Sequence, residues 1–438
     1  MKNNFVLKGD ICFSKYSDTL SCLEKGYLVC INGKVEGVFN KLPESYHSLK
    51  IVDYSSCLII PGLVDLHIHA PQFAIRGLGM DLELLDWLEN HAFVEEVKYA
   101  NSEYAYNAYN AFVEHLKQGP NTRMAVFATI HTKATLILMD LLEKSGLVSM
   151  VGKVNMDRNC PPSLREKSAS SSIAATEEWL AACTGNNAYK NTKPILTPRF
   201  IPSCSDKLMK KIGELQKKYN LSVQSHLSEN RKEIEWVRDL RPESSGYGAA
   251  YKDNDLFGSD ENCNVPTLMA HCTWSDDDEI TLMAQRQVYA VHCPQSNTNL
   301  SSGIAPVRRF LKAGVPVGLG SDIAGGAHSS IFKAIADSIQ VSKLRRVLLD
   351  NDEKALSLEE AFYMATVSGG AFFEKSGLGA SGSFEAGNDF DVLVIDDKNL
   401  SPPFELSIKE RLERVVYLSD DRNIKAKYVK GNKLWQTA

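Results

Sequence analysis

The middle of this 438-residue chain alternates short apolar runs of strand-forming residues with longer stretches of helical periodicity. Eight runs stand out, at residues 62–68, 124–130, 147–154, 194–197, 221–225, 267–270, 288–291 and 315–319. Amphipathic stretches lie between them, for example at residues 102–117, 205–218, 276–286 and 304–312. Repeated strand–helix units of this kind predict an α/β fold with a parallel sheet, and eight of them close a (β/α)₈ TIM-type barrel.

The two ends of the chain carry a different pattern, in which short strands are separated by turn signals. Near the N-terminus the candidate strands are residues 5–7, 26–31, 35–39 and 58–60, and near the C-terminus 391–395, 414–418 and 425–430. The dipeptide Asn32-Gly33 tolerates the positive φ angles that a tight hairpin turn needs. We expect a small discontinuous β-sandwich domain of residues 1–60 and 381–438, around a barrel domain of residues 61–380.

Composition argues against several classes of partner. Lys and Arg total 49 against 54 Asp and Glu, a net charge of −5, which lacks the basic surplus of a nucleic-acid-binding chain. The sequence has no apolar run of about 18 residues and no secretory signal pattern at its start. Its ten cysteines include no CxxC pair, which is typical of reduced thiols and leaves any metal to other ligands. We expect a cytoplasmic homodimer with no nucleic-acid or membrane partner.

Polar side chains follow the ends of most candidate strands: His67, His69, His131, Arg199, His226, His271, His292 and Asp322. In a barrel these positions share the C-terminal rim, where catalytic groups from different strands converge. Any single one of them is adequately explained as a satisfied polar residue at a strand end. For the whole set that explanation is strained, so the sequence predicts a functional site at this rim.

His67 and His69 lie two residues apart on a candidate strand, so both imidazoles point to the same face. An isolated pair of this kind is more often two rim histidines than a pair of ligands. His226 and Asp322 end two other candidate strands, and together the four side chains offer three imidazoles and one carboxylate. That donor set suits one divalent metal, Zn²⁺ in the first place and Fe²⁺ as the alternative.

Two further rim residues are candidates for proton transfer. Glu229 begins the helix after His226, where an acid beside a metal can shuttle protons, although alone it is better explained as a helix-start acid. His271 ends a clearer strand than His292 and is the better catalytic candidate. The roles of His131 and His292 stay open.

Of two motifs that would indicate other activities, one is present in the wrong surroundings and the other is absent. Residues 377–382 match GxGxxG, but they follow a helix and precede a strand, the reverse of the order in a dinucleotide-binding unit. The HxE and PCxxC signature of the small zinc nucleobase deaminases is absent. Its absence excludes that fold without excluding the chemistry.

Residues 61–69 (PGLVDLHIH) resemble the metal-binding opening of the amidohydrolase superfamily. Further segments resemble the guanine deaminase family within it, namely 69–72 (HAPQ), 85–88 (LDWL), 127–131 (FATIH), 197–200 (TPRF), 224–230 (QSHLSEN) and 320–326 (GSDIAGG). The HAPQ, TPRF and SHxSEN segments are the most specific when taken together. The resemblance covers most of the barrel and implies the same barrel with a terminal β-sandwich.

Position by position, the resemblance implies specific roles. One zinc ion would be held by His67, His69, His226 and Asp322. Catalytic roles would fall to Glu229, His271 and Asp322, and purine binding to Gln72, Arg199 and Phe200. Relatives with two metals use a carboxylated lysine on the fourth strand, and no lysine follows Pro194 here, which favours a single metal.

The implied reaction is hydrolytic deamination of guanine to xanthine and ammonia by a metal-activated water. In it Asp322 takes the proton of the water, His271 stabilises developing negative charge, and Glu229 protonates the ring nitrogen next to C2. Arg199 donates to O6, Gln72 donates and accepts along the same edge, and Phe200 offers a ring face.

Two alternatives stay open at this point. One is an amidohydrolase that acts on another purine or on a pterin, and the other is a non-catalytic metal-binding barrel scaffold. The presence of both Glu229 and His271 argues against the scaffold.

Overall fold

The structure is a computed structural model that describes residues 4–184, 189–259, 265–351 and 353–437. The strands in these residues are β1 (Phe5–Ser14), β2 (Leu20–Ile31), β3 (Lys34–Phe39), β4 (Lys50–Pro61), β5 (Leu63–His69), β6 (Asn121–Phe127), β7 (Val148–Gly152), β8 (Val154–Asn155), β9 (Thr192–Pro194), β10 (Thr197–Pro198), β11 (Val223–Leu227), β12 (Thr267–His271), β13 (Tyr289–His292), β14 (Val317–Leu319), β15 (Val392–Ile395), β16 (Ile424–Val429) and β17 (Asn432–Gln436).

The α-helices of the same residues are α1 (Leu84–Trp87), α2 (Phe93–Glu96), α3 (Ser102–Gln118), α4 (Thr132–Ser145), α5 (Ala169–Thr184), α6 (Asp206–Tyr219), α7 (Arg231–Leu240), α8 (Tyr247–Lys252), α9 (Asp277–Arg286), α10 (Pro294–Asn299), α11 (Val307–Ala313), α12 (Ile331–Leu348), α13 (Leu358–Tyr363), α14 (Gly369–Lys375) and α15 (Ile408–Leu418). Within the described ranges, the helices include none with the length and apolar character needed to cross a membrane.

Strands β5 to β14 form the (β/α)₈ barrel. They pair in parallel in the orders β5-β6-β7-β9 and β11-β12-β13-β14, and the short strands β8 and β10 extend the third and fourth positions. Leu196 bridges to Val223 between the two halves, and the N–H of Asp322 donates to the carbonyl of His67 at 2.9 Å to join the last strand to the first. The barrel expected from the sequence is therefore closed by hydrogen bonds on both sides.

The barrel strands are short and apolar because helices cover their outer face while side chains fill the interior. Every residue of β5 and of β6 is buried. Helix α3 packs against the sheet through Tyr109, Phe112 and Leu116, which lie three and four residues apart on one face. It begins at Asn101, whose side chain accepts hydrogen bonds from backbone N–H groups of the first turn.

Both ends of the chain enter one seven-stranded sheet, in the order β17-β16-β15-β4-β1-β2-β3. Strand β4 pairs with β15, so that Leu58 lies opposite Ile395. The small β domain expected from both chain ends is thus one seven-stranded sheet with an apolar core of its own, and Val35 N–H donates to the carbonyl of Asn388 at 2.8 Å to link the two ends. We propose that this sheet and the barrel are two domains divided near residues 60 and 380.

One predicted strand, at residues 414–418, is wrong because these residues lie in α15. The side chain of Ser407 accepts from the N–H of Glu410, and the Glu410 carboxylate accepts from the N–H of Ser407, which forms a capping box. Val415 and Val416 are both buried on one side of the helix that follows. A short apolar run looks the same in a strand and on a buried helix face, and here the cap decides for the helix.

Candidate active site

Imidazoles and a carboxylate converge where β5, β11 and β14 end. The Nε2 atoms of His69 and His226 are 3.2 Å apart. The Oδ1 atom of Asp322 lies 3.2 Å from His67 Nε2 and 3.6 Å from His69 Nε2. All four side chains are buried. The structure thus brings together the residues for which the sequence predicts metal binding.

A divalent metal fits this cluster. Two imidazole nitrogens as close as those of His69 and His226 require a proton or a cation between them. His67 Nε2 is buried and, among the described residues, makes no well-oriented hydrogen bond, although Asp322 Oδ1 lies 3.2 Å away. Burial lowers the pKa values of His69 and His226 well below the ordinary value, which favours the neutral imidazole that binds metals. Nitrogen donors together with a carboxylate are the ligands that Zn²⁺ and Fe²⁺ take.

Hydrogen bonds behind the cluster orient two of its imidazoles. His226 Nδ1 lies 2.7 Å from the carbonyl oxygen of Arg199. A carbonyl oxygen only accepts, so Nδ1 carries the proton and Nε2 turns its lone pair toward the cluster. His271 Nδ1 donates in the same way to Oδ1 of Asn297 at 2.8 Å. Both imidazoles therefore face the cavity through Nε2.

The loop that carries Asp322 is held by a second carboxylate. Asp65 accepts hydrogen bonds from the hydroxyl of Ser321 at 2.6 Å and from its backbone N–H at 3.0 Å. The φ angles of Asp322 and His271 are 46° and 71°, values that residues other than glycine rarely adopt. Strained backbone of this kind is held at functional sites by its surroundings, and at Asp322 the contacts of Asp65 with the neighbouring Ser321 supply that support.

Glu229 and His271 lie next to each other beside the cluster. His271 Nε2 lies 3.4 Å from Glu229 Oε2 and 3.8 Å from Asp322 Oδ2. Burial, together with the nearby charge of Asp322, raises the pKa of Glu229 well above its ordinary value, which favours the protonated acid. The backbone N–H of Glu229 donates to Oε2 of Glu233 at 3.0 Å, which fixes the position of the acid.

A cavity opens onto the cluster, and Gln72, Arg199 and Phe200 line it, as predicted for purine-binding residues, together with Trp87 and Leu300. The ring of Phe200 packs edge-on against Trp236. Apolar walls with a few fixed polar groups are typical of a site for a small flat molecule.

The polar groups of the cavity are held by Glu96, a residue that the sequence analysis missed. Its carboxylate accepts from both terminal nitrogens of the Arg199 guanidinium, at 2.6 and 3.0 Å, and from Nε2 of Gln72 at 2.9 Å. In the sequence, Glu96 follows Glu95 in a stretch that looks like an exposed acidic helix face. Both glutamates are buried, and nothing in their spacing signals it.

Two rim histidines do not join the site. His131 immediately precedes α4, and His292 faces a separate pocket that Arg308 and Arg345 also line. Neither is among the described residues that line the cavity beside the metal ligands. Asn297 and Asp65 were also missed, although Asp65 lies inside the PGLVDLHIH segment and could have been identified there.

Comparison with known proteins places this geometry in a family context. Residues 58–434 match the model of the amidohydrolase family. The guanine deaminase of Dictyostelium discoideum is 39% identical over 390 residues, which cover 88% of this chain and 84% of that protein. The guanine deaminase of Rattus norvegicus is 38% identical over 386 residues, covering 86% and 82% of the two chains.

A solved structure is similar over the whole chain. The guanine deaminase from C. acetobutylicum, with bound guanine in the active site, is 46% identical and superimposes with a TM-score of 0.93. The similarity covers 99% of this chain and 100% of that one.

Proposed function

This chain belongs to the amidohydrolase family and, within it, to the guanine deaminases, and from that premise we propose that it hydrolyses guanine to xanthine and ammonia. One observation carries the proposal. Three imidazoles and a carboxylate lie beside the Glu229–His271 pair at the end of a cavity lined by Arg199 and Gln72. The relative with guanine in its active site is 46% identical over the same length.

We assign one metal ion per chain to His67, His69, His226 and Asp322. In the described part of the chain both groups that could hold a metal include His67, so they form one cluster. Zn²⁺ is favoured over Fe²⁺ because imidazole and carboxylate groups are the ligands of catalytic zinc sites, in which zinc can also take a further ligand such as water. When bound, the ion lowers the pKa of a water molecule and so makes it a nucleophile at neutral pH.

The protein residues supply the proton transfers. Asp322 accepts a proton from the attacking water, and Glu229 delivers its own proton to the ring nitrogen beside C2, which makes C2 more electrophilic. His271 lies between the two carboxylates and stabilises negative charge on the attacking oxygen. After the C2–oxygen bond has formed, the C2–nitrogen bond breaks and the proton held by Asp322 leaves with the amine as ammonia. The remaining proton of the attacking oxygen passes to Glu229, which restores the acid as the C2 carbonyl of xanthine forms.

Recognition of the purine falls to Arg199, Gln72 and Phe200. The guanidinium donates to O6 and is planar and permanently charged, so it requires an acceptor at that position. The Gln72 amide donates and accepts along the same edge, and the Phe200 ring packs on the purine face. Adenine presents an amine where guanine presents O6, so it leaves the arginine donors unpaired.

The test is turnover of candidate substrates by the purified protein after metal analysis. Guanine should yield xanthine and ammonia in equal amounts, whereas adenine and pterin should yield little ammonia. Preferential release from adenine or from a pterin would overturn the assignment. The cytoplasmic location and the homodimer stay predictions.

A further inference from the structure

Glu96 sits behind the cavity and contacts two of the polar side chains that line it. Only 2% of Glu96 is exposed, and its carboxylate accepts three hydrogen bonds, two from Arg199 and one from Gln72. The second bonding group of Gln72 is also held, because its Oε1 accepts from the N–H of Ala324 at 3.1 Å. The orientation of the Gln72 amide is thus set from both ends.

The hydrogen bonds to Glu96 leave part of the bonding capacity of Arg199 and of Gln72 free for a ligand. A guanidinium has five N–H donors, and Glu96 takes one from each terminal nitrogen, so three donors of Arg199 are left for other acceptors. Gln72 keeps one N–H and one lone pair after its bonds to Glu96 and Ala324. These are the donors and the acceptor that a 6-oxo purine edge requires.

We propose that Glu96 is a positioning residue of the purine site, which holds Arg199 and Gln72 so that they select a ligand with an oxygen at C6. This inference rests on the proposed guanine deaminase function. A carboxylate only accepts hydrogen bonds, so Arg199 and Gln72 both donate to Glu96. An amide at this position would direct an N–H group toward the N–H donors of Arg199 or of Gln72. It could then hold only one of these two side chains in its present orientation.

The position of Glu96 is itself held by neighbouring contacts. Glu95 bonds to Lys98 at 2.6 Å and to the hydroxyl of Tyr104 on α3, which anchors α2 to the next helix. Phe93, one turn earlier in α2, lies with its ring 5.0 Å from the guanidinium carbon of Arg199. Helix α2 therefore presents both a carboxylate fork and a ring to the same arginine.

The test compares two substrates in the metal-loaded Glu96→Gln variant. Guanine carries O6 and 2-aminopurine lacks it, while both carry the amine at C2. We expect kcat/KM for guanine to fall about 10–100-fold, mainly through KM, as loss of a charged hydrogen-bond arrangement predicts. For 2-aminopurine, measured as a substrate or as a competitive inhibitor, we expect a change within about 3-fold, since its C6 makes no such bond.

A matched control exists outside the site. Arg308 and Glu360 form the same two-bond fork, at 2.6 and 2.8 Å, and Glu360→Gln should leave the kinetics of both substrates unchanged. Glu96→Asp keeps the acceptors and should recover part of the loss for guanine. If Glu96→Gln does not fold, Glu96→Asp carries the same comparison of substrates.

Equal losses for the two substrates, or no loss for guanine, would overturn the positioning role. A parent protein that does not deaminate guanine would instead overturn the proposed function, so the two failures are distinguishable.

Discussion

The protein buries charged groups in two regions that are built differently. At the start of β6, the guanidinium of Arg123 donates to Asp391 and Asp389, each at 2.7 Å, and to the carbonyls of Leu378 and Gly379 at 3.0 and 2.9 Å. Burial alone would lower the pKa of Arg123, and the charges of the two aspartates raise it instead. This cluster joins the barrel to the segment that leads into β15.

At the opposite end of the barrel, the C-terminal rim, the metal-ligand cluster holds buried imidazoles whose hydrogen bonding within the protein is incomplete. The imidazoles of His69 and His226 face each other, and in the described part of the chain His67 Nε2 makes no well-oriented hydrogen bond. In the Arg123 cluster the buried charges are paired within the protein, whereas the metal-ligand cluster needs a cation and a substrate to pair its polar groups. We infer that the first cluster contributes to stability and the second to function, so that each can be disrupted without the other.

The largest expected effect is on turnover at the rim. Glu229→Gln should lower kcat for guanine by about 10²–10⁴-fold, because an amide cannot deliver a proton to the ring nitrogen. Steady-state kinetics with metal analysis and a thermal unfolding scan check the result. The metal content and the unfolding temperature should stay close to those of the parent. Parental turnover in this variant would show that Glu229 is only a helix-start acid.

The reverse outcome is expected in the Arg123 cluster. Arg123→Met should lower the free energy of unfolding by about 3–5 kcal/mol, because Asp391 is left buried without its cation and Asp389 keeps only its ion pair with Lys34. Urea unfolding measures this loss. At a temperature where the variant is folded, its kcat for guanine should equal that of the parent. A stable variant with impaired kcat would break the distinction between the two regions.

A smaller effect is expected at the edge of the rim cluster. Arg199→Lys keeps the charge but loses the planar fork, so kcat/KM for guanine should fall by about 10–100-fold. Adenine should stay a poor substrate in both proteins. Kinetics on the two purines check both expectations. Unchanged guanine kinetics, or a parent that prefers adenine, would show that Arg199 does not read the substrate.

The last effect is a pH dependence of stability and concerns Lys427, which lies near the Arg123 region and donates to the carbonyls of Leu116 and Asn121 at 2.8 and 3.0 Å. Burial lowers its pKa from 10.5 to about 7. Between these two values the unfolded chain binds more protons than the folded one, so this group makes stability rise with pH. The contribution is at most about 1.4 kcal/mol per pH unit.

Urea unfolding at several pH values between 7 and 10 checks this effect of Lys427. The parent should gain stability with pH relative to Lys427→Met, which lacks the titrating amine. Parallel curves for the two proteins would contradict the lowered pKa.

Much of the fold and of the metal-ligand cluster could be predicted from the sequence, for a physical reason. A barrel places the ends of all its strands at one rim, so His67, His226 and Asp322 could be brought together from strand order alone. Glu96 could not, because its partners Arg199 and Gln72 are distant in sequence and a buried glutamate in a short acidic stretch has no characteristic spacing. The strand predicted at residues 414–418 is wrong for a local reason, because a short apolar run occurs both in strands and on the buried face of a helix.

The most direct test of the account is a metal titration of guanine turnover. After chelation and removal of the chelator, the apo protein should be inactive but folded, as judged by circular dichroism. Added Zn²⁺ should restore the formation of xanthine and ammonia in proportion, and the activity should level off at one equivalent per chain. Activity that requires two equivalents, or that persists without metal, would contradict the assignment of one ion to His67, His69, His226 and Asp322.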